Sequence, residues 1–270
     1  MNPSRILIAL GTATLGFSSL RSVAQIEVEW ITSSHSMLPG TGLQTAIRIT
    51  HKPGWHTYWL NPGESGIPTT VDFQLPEGWK LESLHYPAPV RFTNGELLGF
   101  GYEDTVLIPV NISASSDFKS PVTLSAEVTW LACNEDSCVP GEMPISLTIQ
   151  PDAPAPTPEA HSIEVAQMKI PRSSEHPTKL EVLDEGDSLV LKLKPDPRSS
   201  IDWSAYQVFP KSADILDPKA ILKFTPANDS SGIWIARGPV STYASRPLTA
   251  LSLLLTHPTA PPIELEGSIP

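Results

Sequence analysis

Cysteine is nearly absent from this 270-residue chain: it occurs twice, at Cys133 and Cys138. At 17% charged and 40% hydrophobic residues, the chain has enough apolar material to bury a core without a disulfide framework. Positive charge is scarce too, with 18 Lys and Arg against 29 Asp and Glu for a formal net charge of −11. Neither a Lys/Arg cluster nor an aromatic-basic stripe occurs, so nucleic acid and anionic membrane surfaces are excluded as partners. Hydrolase signatures are missing: there is no Gly-x-Ser-x-Gly and no His-Glu-x-x-His, and Ser65 between Glu64 and Gly66 belongs to a turn. No cofactor and no resident metal are expected.

Proline, by contrast, is abundant. Its 29 residues are about twice the usual share of ~5% and would interrupt nearly every long helix. All-α bundles and coiled coils are therefore excluded.

The first 24 residues read as an export signal. Arg5 precedes an uncharged apolar run over residues 6–20, and Ser22-Val23-Ala24 offers small residues where a signal peptidase cuts. The run is shorter than the ~20 residues that span a bilayer. Cleavage after Ala24 would leave 246 residues, and with Arg5 and Arg21 removed the charge balance is 16 minus 29, or −13. No cysteine lies near the cleavage site to carry a lipid, and nothing after Ala24 approaches a membrane span. The mature protein is expected to be exported, with no direct membrane insertion.

Beyond the signal, period-two alternation dominates. Ile26/Val28/Trp30, Val71/Phe73/Leu75, Val106/Ile108/Val110/Ile112, Leu124/Ala126/Val128/Trp130 and Met143/Ile145/Leu147/Ile149 each put apolar side chains on one face of a strand. Lys52-Pro53-Gly54, Asn61-Pro62-Gly63, Pro76-Glu77-Gly78 and Thr93-Asn94-Gly95 read as turns, so strand follows strand without crossover helices. That is the pattern of an all-β sandwich over residues 25–150.

Residues 151–158 hold four prolines in eight positions and predict an extended spacer and domain boundary. Pro158 and Glu159 suit the start of one short helix to Lys169, with Ile163, Ala166, Met168 and Ile170 available to a neighbour. Alternation resumes with Leu189/Leu191/Leu193, residues 221–224, Ile233/Ile235 and Leu251/Leu253/Leu255, predicting a second, smaller β-sandwich over 170–270. That second part carries no cysteine, no metal-ligand spacing and no nucleophile motif.

Chemistry concentrates at the cysteines, in Trp130-Leu131-Ala132-Cys133-Asn134-Glu135-Asp136-Ser137-Cys138-Val139-Pro140. An exported pair this close oxidises unless something keeps it reduced. A loop this short stabilises less than the ~3 kcal/mol of a 15-residue loop, and a labile disulfide belongs in a tight connection between strands. Three readings stay open from the residues alone: a redox pair, a structural staple, and metal capture. Glu135 and Asp136 disfavour a thiolate, and no Lys, Arg or His lies inside the loop to offset them. A strongly acidified, oxidant-type thiol is therefore not predicted, and the spacing is not the Cys-x-x-Cys of a thioredoxin site.

Three stretches carry a family resemblance. They are Pro53-Gly54-Trp55-His56-Thr57-Tyr58-Trp59-Leu60-Asn61-Pro62-Gly63-Glu64-Ser65-Gly66-Ile67-Pro68-Thr69; Tyr86-Pro87-Ala88-Pro89-Val90-Arg91-Phe92 with Gly99-Phe100-Gly101-Tyr102-Glu103; and Val128-Thr129-Trp130-Leu131-Ala132-Cys133 with Cys138-Val139-Pro140. Together they span about residues 45–145 and resemble the periplasmic N-terminal domain of the thiol:disulfide interchange protein DsbD, in the branch of the suppressor of copper sensitivity protein ScsB.

The resemblance implies an immunoglobulin-like fold, two such sandwiches in series, and a catalytic Cys133/Cys138 dithiol-disulfide pair. Cys138 is implied as the sulfur that attacks partners. It also implies a cap over the pair on residues 95–102, with Phe100 or Tyr102 as the covering ring, and places Tyr58 and His56 beside the cysteines. Trp55, Tyr58 and Trp59 have sandwich core as their other reading, and Glu64 and Glu103 read as local acidity or as solvated turn carboxylates.

The implied partners are a membrane-embedded thiol reductase and oxidised periplasmic thioredoxin-like proteins. The family's transmembrane and thioredoxin-like parts do not follow Cys138 before Pro270, so the reductase is expected on a separate chain. Two competing functions remain: a binding module stapled by the disulfide, and Cu(I) handling by the two thiolates with His56 or Met143. His35-Ser36-Met37 reads as a polar loop.

Overall fold

A computed structural model describes residues 25–171, 178–228 and 231–270. The expected signal segment lies outside the described residues. From the N-terminus come β1 (Ile26–Thr32), β2 (Gly42–His51), β3 (His56–Gly63), β4 (Thr70–Gln74), β5 (Lys80–Leu84), β6 (Val90–Asn94), β7 (Leu97–Tyr102), β8 (Thr105–Ser113), β9 (Val122–Cys133) and β10 (Cys138–Ile149). They form one sheet in the order β1-β2-β8-β5 and a second in the order β10-β9-β3-β7-β6, with β4 also on β9.

The alternation read from the sequence becomes the core. Ile26, Val28 and Trp30 of β1, Ile108, Val110 and Ile112 of β8, Leu124 through Trp130 at every second position of β9, and Met143 through Ile149 of β10 are buried in one cluster. Each large side chain moved out of water there contributes roughly 1.5–3 kcal/mol. Val71 and Phe73 of β4 close the side of this core, and Phe73 meets Trp30 edge-on at 5.3 Å.

Two local expectations change. Asn61-Pro62-Gly63 does not turn the chain but ends β3 in an irregular register against β7. Buried Asn61 accepts the Gly63 N–H at 3.0 Å and donates to the Pro210 carbonyl at 2.8 Å, so its side chain does the work a turn would do. The proline-rich stretch, in turn, lies against the first sheets rather than hanging free. Pro156 bridges to Ser34, Ser36 donates to the Ala153 carbonyl at 2.8 Å, and Thr157 donates to the Thr32 carbonyl at 2.5 Å.

The short helix α1 (Ala160–Met168) follows, anchored at its start by the Arg48 to Glu159 ion pair at 2.8 Å. Ile163 and Ala166 are buried, Ile163 against Ile31 and Ala46, whereas Met168 is 52% exposed.

The remaining strands are β11 (Lys179–Asp184), β12 (Ser188–Lys194), β13 (Gln207–Pro210), β14 (Thr225–Pro226), β15 (Trp234–Pro239), β16 (Ala250–Thr256) and β17 (Ile263–Ser268). They make sheets β11-β12-β15-β14 and β13-β16-β17 around a second cluster that includes Leu189, Leu191, Leu193, Leu251, Leu253 and Leu255. On β15 the inward face is Ala236 and Gly238 rather than Ile233 and Ile235. Small residues are needed there because Leu222 and Leu216 press against Gly238. Ile221, expected in a strand, is 78% exposed and lies outside one. The two clusters are not insulated: Phe209 of β13 and Leu254 of β16 pack into the first.

Candidate functional site

Cys133 ends β9 and Cys138 begins β10, directly opposite each other in the hairpin register, and they are joined by a disulfide with S–S 2.04 Å. Residues 134–137 close the hairpin. The Asn134 side-chain oxygen accepts from the Asp136 N–H at 3.0 Å and the Ser137 N–H at 2.8 Å, which fixes the loop.

Strand alternation puts Leu124, Ala126, Val128, Trp130 and Ala132 toward the core, so Cys133 falls on the outer face of its sheet. It is nevertheless fully buried, because other parts of the chain cover it; Cys138 is exposed. The two cysteines of one bond therefore meet solvent unequally.

Directly across from Cys133 in the β3 register stands His56, and two residues on, Tyr58 shares its face. The Tyr58 hydroxyl donates to Cys133 Sγ at 3.4 Å, and the Asn94 amide donates to Cys138 Sγ at 3.7 Å. Tyr58 is 2% exposed, and burial raises its phenol above the ordinary value despite hydrogen bonding from Asn94 and Ser65. It stays a neutral donor. His56 is 6% exposed; burial first, and then nearby His51, push its imidazole down to about 4, so it is uncharged at neutral pH. The acidic loop residues Glu135 and Asp136 are exposed.

The expected covering rings turn away. Phe100 and Tyr102 alternate with Gly99 and Gly101 along β7 and point into the core, where both are buried. The ring on the cysteine face is Phe92 of β6, tilted against His56 at 3.9 Å between centroids and 5.5 Å from Tyr58. Gly99 and Gly101 make room for it: a Cβ on either would meet the Phe92 ring, and on Gly101 also the Thr57 carbonyl. Phe92 and Asn94 were not singled out as site residues. The signal was present in Gly99-x-Gly101, two glycines on one strand face, which mark a place where a ring or another strand comes close.

Other expectations sort by face. Trp59 is core, while Tyr58 and His56 join the site. Met143 is also core, on the opposite face of the sheet from the sulfurs, as is Met37 from the expected polar loop. Among the described residues no group of three or more His, Cys, Asp and Glu is arranged to hold a metal ion. Glu103 is exposed, whereas Glu64 accepts the Leu98 N–H at 2.7 Å and pairs with Lys219 at 2.8 Å. Those two contacts, the N–H first, hold its carboxyl below the usual range.

The fold and this geometry define a class: an immunoglobulin-like β-sandwich with a hairpin-end disulfide between one buried and one exposed cysteine. Residues 25–150 match the model of the family described as thiol:disulfide interchange protein DsbD, N-terminal. In fold, the chain is similar to the crystal structure of the N-terminal periplasmic domain of ScsB from Proteus mirabilis, with TM-score 0.66 and 18% identity over 94% of this chain and 97% of that one. The likeness extends through the C-terminal sheets. The major pilin subunit BcpA of Bacillus cereus matches at TM-score 0.28 and 10% identity over 86% of this chain and 58% of that one, too low to carry an argument. No curated protein matches the chain in sequence. Among the described residues, no helix is long and apolar enough to cross a membrane.

Proposed function

We propose that this protein is exported to the periplasm and exchanges thiols and disulfides there, passing electrons from a membrane-embedded thiol reductase to oxidised thioredoxin-like proteins through Cys133 and Cys138. The observation that carries the reading is the unequal exposure of the two cysteines: Cys138 is exposed, with the Asn94 amide at its sulfur, while Cys133 is buried under the Tyr58 hydroxyl. The family match of residues 25–150 and the periplasmic origin of the ScsB domain support it.

The chemistry follows from that asymmetry. A thiolate of the reductase attacks Sγ of exposed Cys138, forming a mixed disulfide as the Cys133–Cys138 bond breaks. Cys133 Sγ leaves with the electron pair, and the neutral Tyr58 donor 3.4 Å away stabilises the developing charge until a proton from water reaches it. The reductase's second thiolate then attacks its own sulfur in the mixed disulfide and releases Cys138, which is protonated in turn. Two electrons and two protons have entered, and the reductase is left oxidised. Toward a client the steps reverse: Cys138 attacks the client disulfide and Cys133 resolves the mixed species, restoring the internal bond.

The test is trapping. With an oxidised thioredoxin-type protein, Cys133→Ser is expected to accumulate a mixed disulfide through Cys138, seen as a higher-mass species that disappears on reduction. Cys138→Ser is expected to give at least about tenfold less. Equal trapping by both variants, or none by either, would overturn the assignment.

A further inference from the structure

The hairpin of β6 and β7 is two-faced. On one side Phe92 and Asn94 lie against His56, Tyr58 and Cys138. On the other side it is gripped by residues 208–219 of the C-terminal sheets and their loops. Arg91 donates to the Val208 carbonyl at 2.9 Å and the Pro218 carbonyl at 3.2 Å. Its guanidinium sits 4.8 Å from the centroid of Phe100 and 5.0 Å from that of Phe209, between one ring from each half of the chain. Phe209 also meets Phe100 and Trp59 edge-on, at 5.7 and 6.3 Å. On the neighbouring strand the Leu98 N–H is held by Glu64, which Lys219 anchors, and Asn61 at the end of β3 donates to the Pro210 carbonyl.

Arg91 and Phe92 are adjacent in one strand, so their side chains point to opposite faces and cannot move independently. A guanidinium with two carbonyl acceptors and two aromatic faces is fixed far more firmly than a hairpin tip of this size would be alone.

We propose that the C-terminal part of the chain acts as a clamp on the β6–β7 hairpin, with Arg91 as the positioning residue that holds Phe92 and Asn94 over the disulfide and so limits its reaction with thiols. This gives the chemically silent half of the sequence a role at the site. The inference rests on the exchange reading for its biological sense, but the clamp is a statement about access to one bond and is measurable without any partner.

The experiment uses the full chain and dithiothreitol as the probe, following loss of the disulfide by mass-tagging of free thiols in wild type, Arg91→Ala, Arg91→Lys, Lys219→Ala and Phe92→Ala. Releasing a charge-assisted hydrogen bond predicts that Arg91→Ala is reduced about tenfold faster than wild type. Arg91→Lys, with the charge but not the fork, falls between, and Lys219→Ala gives about a two- to threefold increase.

Because Arg91 acts through the hairpin, adding Arg91→Ala to Phe92→Ala is expected to gain little, a non-additivity that a merely destabilised fold would not show. The fast reaction must also be independent of low urea, as local opening is and global unfolding is not. If Arg91→Ala does not fold, Lys219→Ala decides alone. Rates within about 1.5-fold of wild type in the folded variants, or full additivity with Phe92→Ala, would overturn the clamp. The exchange reading would be untouched by that result, since it stands or falls on trapping by the wild-type cysteine pair's single-serine variants.

Discussion

The side chains around Cys133 are polar but uncharged, and that neutrality has a pH cost. His51 lies beneath the site with Nδ1 facing the Asp104 carbonyl at 2.9 Å and Nε2 facing the Thr57 hydroxyl at 2.9 Å. A carbonyl only accepts, so Nδ1 carries the proton and the Thr57 hydroxyl donates to Nε2. Burial lowers the His51 pKa, and it lowers that of His56 to about 4, while His56 Nε2 has no hydrogen-bond partner among the described residues. Unfolded, both imidazoles bind a proton near pH 6.5. The stability they preserve is therefore complete above pH 6.5 and is lost as pH falls from there toward 4. For His56 the loss is roughly 2–3 kcal/mol. Urea unfolding of the oxidised protein between pH 7 and 4 is expected to show it, and His56→Phe to remove much of it; a flat profile over that window would contradict the burial account.

Elements were legible where alternation met a wide core and illegible where a contact from far along the chain decided. The first sandwich was readable because Val128, Trp130, Ile145 and Leu147 have no alternative to the core face. A cap carrying Phe100 or Tyr102 is what the family resemblance implies for residues 95–102, not something the residues themselves dictate. β7 is instead a regular strand, and parity sends Phe100 inward and leaves the glycines outward under Phe92. The Asn61 bulge was hidden for a different reason: its partner carbonyl belongs to Pro210, 149 residues away. The hairpin makes its own prediction. Gly101→Ala is expected to cost about 2 kcal/mol or more, because its Cβ meets the Thr57 carbonyl and would push β7 off β3. Gly95→Ala, with nothing within 4 Å of its Cβ and only a φ of 62° to sustain, is expected to cost about 1 kcal/mol. Equal losses in chemical denaturation would show that the approach of β7 to β3 is not as tight as described.

At the scale of the molecule, the division into a sandwich over 25–150 and a smaller one over 170–270 remains our proposal, and the contacts qualify it. The proline-rich stretch hydrogen-bonds along the first sheets, Phe209 and Leu254 fill the first core, and Arg91, Asn61 and Glu64 tie the site's hairpin and strand to residues 208–219. A free spacer between independent domains would leave none of these. Nothing in the C-terminal sequence announced this role, because the groups that grip the hairpin are mostly backbone carbonyls, which every residue carries.

The central claim, that the Cys133–Cys138 bond is made to be opened and closed rather than to staple the hairpin, is tested most directly by its reduction potential. The folded full chain would be equilibrated against glutathione buffers and its free thiols counted by mass-tagging. A value between roughly −180 and −270 mV, the range in which exchange proteins work, is predicted. A value below about −300 mV, where structural disulfides lie, would contradict it.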